Sequence, residues 1–117
     1  MTVKECYDLF GGDYDDVIAR LRKDERVCKY LKLLAESREK DLTDDALARS
    51  DFQEAFLHIH NLKGIALNLS LTPLFRASDT LCEALRHGDP GYDVSPLMQD
   101  VSDALGNILS AAAQLQN

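Results

Sequence analysis

An unbroken recurrence of apolar residues at helical spacing restricts this chain more than any other feature. Phe52, Ala55, Ile59, Leu62, Ala66 and Leu69 follow one another three or four positions apart, which is the spacing of one face of an α-helix. The spacing predicts a helix ending near Leu69, with Ser50 or Asp51 able to accept its first N–H groups. The same rhythm returns along the chain, in Val3, Cys6, Leu9 and Phe10, in Tyr14, Val17, Ile18 and Leu21, and in Val27, Tyr30, Leu31 and Leu34. Beyond the central stretch it continues in Leu74, Ala77 or Ser78, Leu81 and Leu85, then in Leu97, Val101, Leu105, Ile108, Ala112 and Leu115. Alternating runs rich in β-branched residues are absent, so no strand pattern competes.

Start and stop signals divide these stripes. Thr2 with Glu5 reads as a capping box, Gly11-Gly12 as a stop, and Asp13 and Asp24 as two starts, so one bent helix or two short ones are expected between Asp13 and Ser37. Ser37 to Asp44 has no apolar rhythm and reads as a connector, followed by a short helix from Thr43 to Arg49. Thr72-Pro73 and Ser95-Pro96 each pair a capping residue with a proline suited to the first helical position, while Gly88 and Asp89-Pro90-Gly91 mark a turn. Short connectors favour antiparallel neighbours. The expected fold is all-α, an antiparallel four-helix bundle with additional short N-terminal helices. One domain spans residues 1–117, with residues 1–23 as a helical cap over one end and residues 24–117 as the bundle, the helix near residues 24–37 being its fourth member.

Composition excludes several function classes. Thirteen Lys and Arg against twenty Asp and Glu give a formal net charge of −7, the wrong sign for a nucleic-acid backbone. No apolar run approaches the roughly 20 residues of a membrane span, and the N-terminus lacks a signal-peptide pattern. A cytoplasmic protein follows as the expectation, with no membrane partner. Cys6, Cys28 and Cys82 are odd in number and widely spaced, which suits buried reduced thiols.

The centre of the long helix carries the candidate chemistry. At 3.6 residues per turn, His60 points roughly 130° from the middle of the apolar seam, toward solvent, with Phe56, Leu57, Lys63, Gly64 and Leu67 on the same side. Glycine within a helix costs about 1 kcal/mol relative to alanine, and nothing nearby ends the helix at Gly64. Helical side chains lean toward the N-terminus, so a side chain at position 64 would cover the imidazole. Glycine leaves it open, and Lys63 can hold an anion placed on the ring as a mobile point charge. These features suit a histidine that carries a phosphoryl group. His58 and His60 project to opposite sides and cannot share a metal, and no metal site or ATP-binding motif is found.

His60, Leu62, Lys63, Gly64, Ala66, Asn68 and Leu69 form a pattern that resembles the histidine-containing phosphotransfer (HPt) domain, and Leu74 and Leu81-Cys82-Glu83 fall where that family has its next helix. Leu67 departs from the pattern, standing where many members have a small residue, as does Ser70, which stands where a glycine often ends the helix. The resemblance implies a bacterial member, a monomer without kinase activity of its own, and the initial Met and lack of linker-like ends favour a stand-alone protein. It implies His60 as phosphoacceptor, Lys63 as stabiliser of the phosphoryl charge and Gly64 as the residue that keeps access open. Partners would be response-regulator receiver domains or a hybrid histidine kinase, docking over Phe56, Leu57, Asn61, Leu67 and Asn68. No cofactor is expected on this chain, since magnesium would be supplied by the receiver. Two other readings remain: a helical adaptor binding a protein through Phe56, Leu57 and Leu67 without phosphorylation, and a small enzyme using His60 as a general base.

Overall fold

The computed structural model describes residues 1–115. Seven α-helices occur there and no strand: α1 (Val3–Phe10), α2 (Tyr14–Leu21), α3 (Asp24–Glu36), α4 (Glu39–Ala48), α5 (Phe52–Asn68), α6 (Thr72–Leu85) and α7 (Ser95–Ala112). The all-α expectation holds, and local capping chemistry accounts for several boundaries. Thr2 Oγ1 accepts the Glu5 N–H at 3.1 Å while the Glu5 carboxylate accepts the Thr2 N–H at 2.9 Å, a reciprocal cap for α1. Gly11 ends that helix at φ +84°, where a residue with a Cβ would be strained. Asp13 caps α2 through the Asp16 N–H, and Asp51 caps α5 through the Glu54 N–H.

Of the two alternatives for residues 14–36, two helices are found, broken at Arg22, whose φ is +77°. Two other boundary readings are corrected. Thr72 and Ser95 are not caps: each is the first residue of its helix, with Leu71 and Val94 before them making no side-chain cap bond. Most of the supposed connector is helix, since α4 begins at Glu39 rather than Thr43. Tertiary packing stabilises this charged stretch: Thr43 and Ala46 are fully buried, and the Thr43 hydroxyl finds its partner in the Glu39 carbonyl at 2.7 Å.

Helix α5 lies between α4 and α6, α6 packs on α7, and α7 packs on α1 and α3. Contacts fix the directions. His60 meets Cys82 and Lys63 meets Asp79, so residue numbers on α6 fall as those on α5 rise, and the two run antiparallel. His58 of α5 and its cap residue Asp51 meet residues 39 and 46 of α4 in the same opposed order. The helix packed along this side of α5 is thus α4 rather than the one near residues 24–37. Helix α3 instead faces the C-terminal part of α5 across a cavity of about 430 Å³ lined by Tyr30, Leu33, Leu34, Ile65 and Asn68, among others.

Ile59, Leu62 and Ala66 of α5, Leu74 and Leu81 of α6 and Val101 and Ile108 of α7 are wholly buried. Each of the larger of these contributes about 1.5–3 kcal/mol by leaving water. Cys6, Cys28 and Cys82 are buried and unpaired with one another.

The N-terminal helices secure the end of α5. The last carbonyls of a helix lack intrahelical partners, and here the Tyr7 hydroxyl donates to the Leu69 carbonyl at 2.7 Å and Arg20 Nη1 to the Asn68 carbonyl at 2.8 Å. Ser70 takes the left-handed turn with φ +55°, doing what glycine would do without strain. Its hydroxyl donates to Asp16 Oδ2 at 2.6 Å, its Oγ accepts from Arg20 at 3.2 Å, and its carbonyl accepts the Asp13 N–H at 3.1 Å. A hydroxyl with two partners, together with the carbonyl's bond, compensates the conformational cost. The central helix is therefore anchored at the end one to two turns beyond Gly64.

Candidate functional site

The buried stripe of α5 turns His60 outward. Ile59 and Leu62 point into the core at 0% exposure, so His60, between them in sequence, stands exposed near the middle of the helix. Two neighbours orient its ring. Phe56, one turn earlier, stacks on it with centroids 5.9 Å apart and planes inclined by 20°. From α6, the buried Cys82 places Sγ 3.9 Å from Nδ1, within reach of a weak hydrogen bond to sulfur. Burial pushes the Cys82 thiol above its ordinary range, so it faces the ring as a neutral S–H. The residue as a whole is exposed, and Nδ1 is the ring nitrogen that meets α6.

Gly64 lies one turn further on. A Cβ built there would meet nothing within 4 Å, and its backbone is helical without a positive φ. Neither close packing nor backbone strain requires glycine here, so its effect is the open space next to the imidazole. Lys63 occupies the flank, as expected, but it is already engaged. Its Nζ lies 2.9 Å from Asp79 Oδ1 and 6.0 Å from the Phe75 ring centroid, both on α6. The hydrogen bond that Lys63 donates to Asp79, together with the carboxylate's charge, holds the Lys63 ammonium above its usual value.

Around this centre, Leu57 and Leu67 are 49% and 56% exposed, large apolar groups left to water on a helix whose other side is dry. Phe56 is half-buried, shared between the core edge and the imidazole. The two asparagines lie apart from this cluster. Asn61 turns toward α4, its Nδ2 donating to Glu39 Oε1 at 3.4 Å, and Asn68 is at the C-terminal end, exposed, with its carbonyl held by Arg20. Sequence reading thus groups His60, Lys63, Gly64 and Phe56 as the structure does, but misses Asp79, Cys82 and Phe75. Their spacing of four and three along α6 was a usable signal, since it marks a second stripe able to lie along α5.

His58 is on the far side of α5, as the helical geometry requires. Its Nδ1 is 2.7 Å from Glu39 Oε2 and its Nε2 3.2 Å from Glu54 Oε2. Both ring nitrogens are thus turned to carboxylates. This cluster joins α4 to α5 and leaves no ring nitrogen for a ligand. Among the described residues, no group of three or more His, Cys, Asp or Glu side chains is placed to hold a metal ion, and no helix is long and apolar enough to cross a membrane. Comparison with protein-family models, with curated proteins and with solved structures returned no match.

Proposed function

We propose that the chain is a histidine phosphotransfer protein of HPt type, in which His60 accepts a phosphoryl group from the aspartate of a receiver domain and returns it to another. One observation carries the proposal: an exposed imidazole in mid-helix with a position open to solvent one turn beyond it, at Gly64, where alanine would fit. In this reading α3 and α4 together supply one member of an antiparallel four-helix bundle completed by α5, α6 and α7, with α1 and α2 capping one end.

The chemistry follows from the ring's surroundings. In the tautomer that keeps its proton on Nδ1, beside Cys82 Sγ, Nε2 holds the free lone pair. That lone pair attacks phosphorus, an N–P bond forms, and the bond from phosphorus to the aspartyl oxygen breaks, so the aspartate leaves as a carboxylate. No general base is required, because the attacking nitrogen carries no proton. Such transfers depend mainly on positioning and on stabilisation of charge. Phe56 and Cys82 orient the ring, Lys63 offers a cation, and magnesium with the remaining catalytic groups comes from the receiver or hybrid kinase. Leu57 and Leu67 give the partner apolar surface to cover. A cytoplasmic location goes with such partners.

Incubation with a panel of phosphorylated receivers tests the proposal. The expected result is an acid-labile, base-stable label that is lost in His60→Gln. Label persisting in that variant refutes His60 as acceptor. Absence of label with every receiver, together with binding that depends on Leu57 and Leu67, would instead establish the adaptor reading that the exposure of those two leucines favours.

A further inference from the structure

We propose that Asp79 is a positioning residue that competes with the phosphoryl group on His60 for the ammonium of Lys63; this rests on the phosphotransfer reading. The antiparallel alignment of α5 and α6 sets Cys82 opposite His60 and Asp79 opposite Lys63. Positions 60 and 63, like 79 and 82, are neighbours on their helix surfaces. Imidazole, ammonium and carboxylate therefore occupy adjoining places on one seam. Lys63 is held at two points on α6, by the Asp79 carboxylate at 2.9 Å and over the Phe75 ring at 6.0 Å. Its side chain is 22% exposed and that of Asp79 42%, so solvent reaches the pair and it can exchange partners.

A phosphoryl group on Nε2 brings up to two negative charges to the same ammonium. Lys63 can then move to the phosphate, leaving Asp79 unpaired beside a dianion, or stay with Asp79 and stabilise the phosphate less. Either way the carboxylate makes phosphohistidine less stable than the imidazole and lysine alone would make it. A relay needs that property, because a phosphoryl group held too well is not passed on. Asp79 sets the balance between accepting and releasing the group.

The experiment compares wild type, Asp79→Asn, Lys63→Met and the double variant, with His60→Gln as the blank. Each is phosphorylated chemically with phosphoramidate, in which the P–N bond breaks, ammonia leaves and a new bond to the ring nitrogen forms. The half-life of label on His60 is measured, then its equilibrium partition with a receiver. Asp79→Asn should lengthen the half-life and shift the partition toward His60 by about two- to fivefold, the upper scale of a solvent-exposed ion pair. In the Lys63→Met background the shift should shrink to less than about twofold. An unchanged partition and half-life in Asp79→Asn would overturn the inference, as would a shift of equal size without Lys63, which would mean direct repulsion. If receivers never exchange with His60, the phosphotransfer reading fails, while the half-lives after chemical labelling still judge Asp79. Failure of phosphoramidate to label His60 at all would refute both.

Discussion

Replacing Gly64 separates the contribution of that position to the fold from its contribution to access, because the two are expected to change in opposite directions. The backbone at Gly64 is helical and a Cβ there touches nothing within 4 Å, so alanine enters without strain. The change from glycine to alanine in a helix interior is worth about 1 kcal/mol. Unfolding entropy of about 2.1 cal/mol/K per residue, taken over 117 residues, converts this into a rise in Tm of about 4 °C. The same methyl group leans toward His60, one turn back, and narrows the approach of a receiver. Larger and charged side chains should act more strongly. A carboxylate about 6 Å from the imidazole repels each unit of phosphoryl charge by about 0.7 kcal/mol in bulk water and about 2.8 kcal/mol at an effective dielectric constant of 20. Gly64→Glu should therefore slow transfer between about threefold and about a hundredfold per unit of charge, beyond the steric loss that Gly64→Gln reports alone. Thermal unfolding followed by circular dichroism and transfer rates from a phosphorylated receiver give both quantities. The expected order of rate is glycine, alanine, glutamine, glutamate, with alanine melting above wild type. If alanine melted lower, glycine would be required by the fold, and if glutamate transferred at the wild-type rate, the role given to open space would be wrong.

The other predictions concern how α5 is held. Tyr7→Phe leaves the buried Leu69 carbonyl without its donor and should cost about 1–2 kcal/mol, seen as a lower midpoint in urea with unchanged slope; a loss below about 0.3 kcal/mol would show that the bond contributes little. Ser70 and then Arg20 hold the Asp16 carboxyl below its ordinary value of 3.8. A value depressed in the folded state makes the unfolded chain the better proton acceptor, so this stabilisation is complete above pH 3.8 and fades as pH falls through the lower folded value. The Tm advantage of wild type over Asp16→Asn should accordingly shrink as pH is lowered from neutrality below 3.8, and a constant gap would contradict it. His58→Gln and Glu39→Gln should each destabilise by about 1–2 kcal/mol, and the double variant by less than their sum. Strict additivity in urea unfolding would show that the pair does not join α4 to α5.

How much of this protein could be read from its residues depended on how local each cause is. The stripe of α5, the caps at Thr2, Asp13 and Asp51 and the outward direction of His60 arise from interactions within about one helical turn, and those are present in the sequence as written. Gly64 was informative for the same reason, since the cost of glycine in a helix is a local quantity. Other features required the assembled chain. Helix α4 begins at Glu39 because His58 and the burial of Thr43 and Ala46 support a stretch whose own pattern is weak. Ser70 adopts a left-handed turn because Asp13, Asp16 and Arg20 arrive from the N-terminal helices to receive it. Lys63 meets Asp79, and His60 meets Cys82, only through the alignment of α5 against α6. Periodicity says which face of a helix is apolar, but how far one helix slides along another is decided by side chains packing together across the whole core, and that alignment gave the imidazole its neighbours.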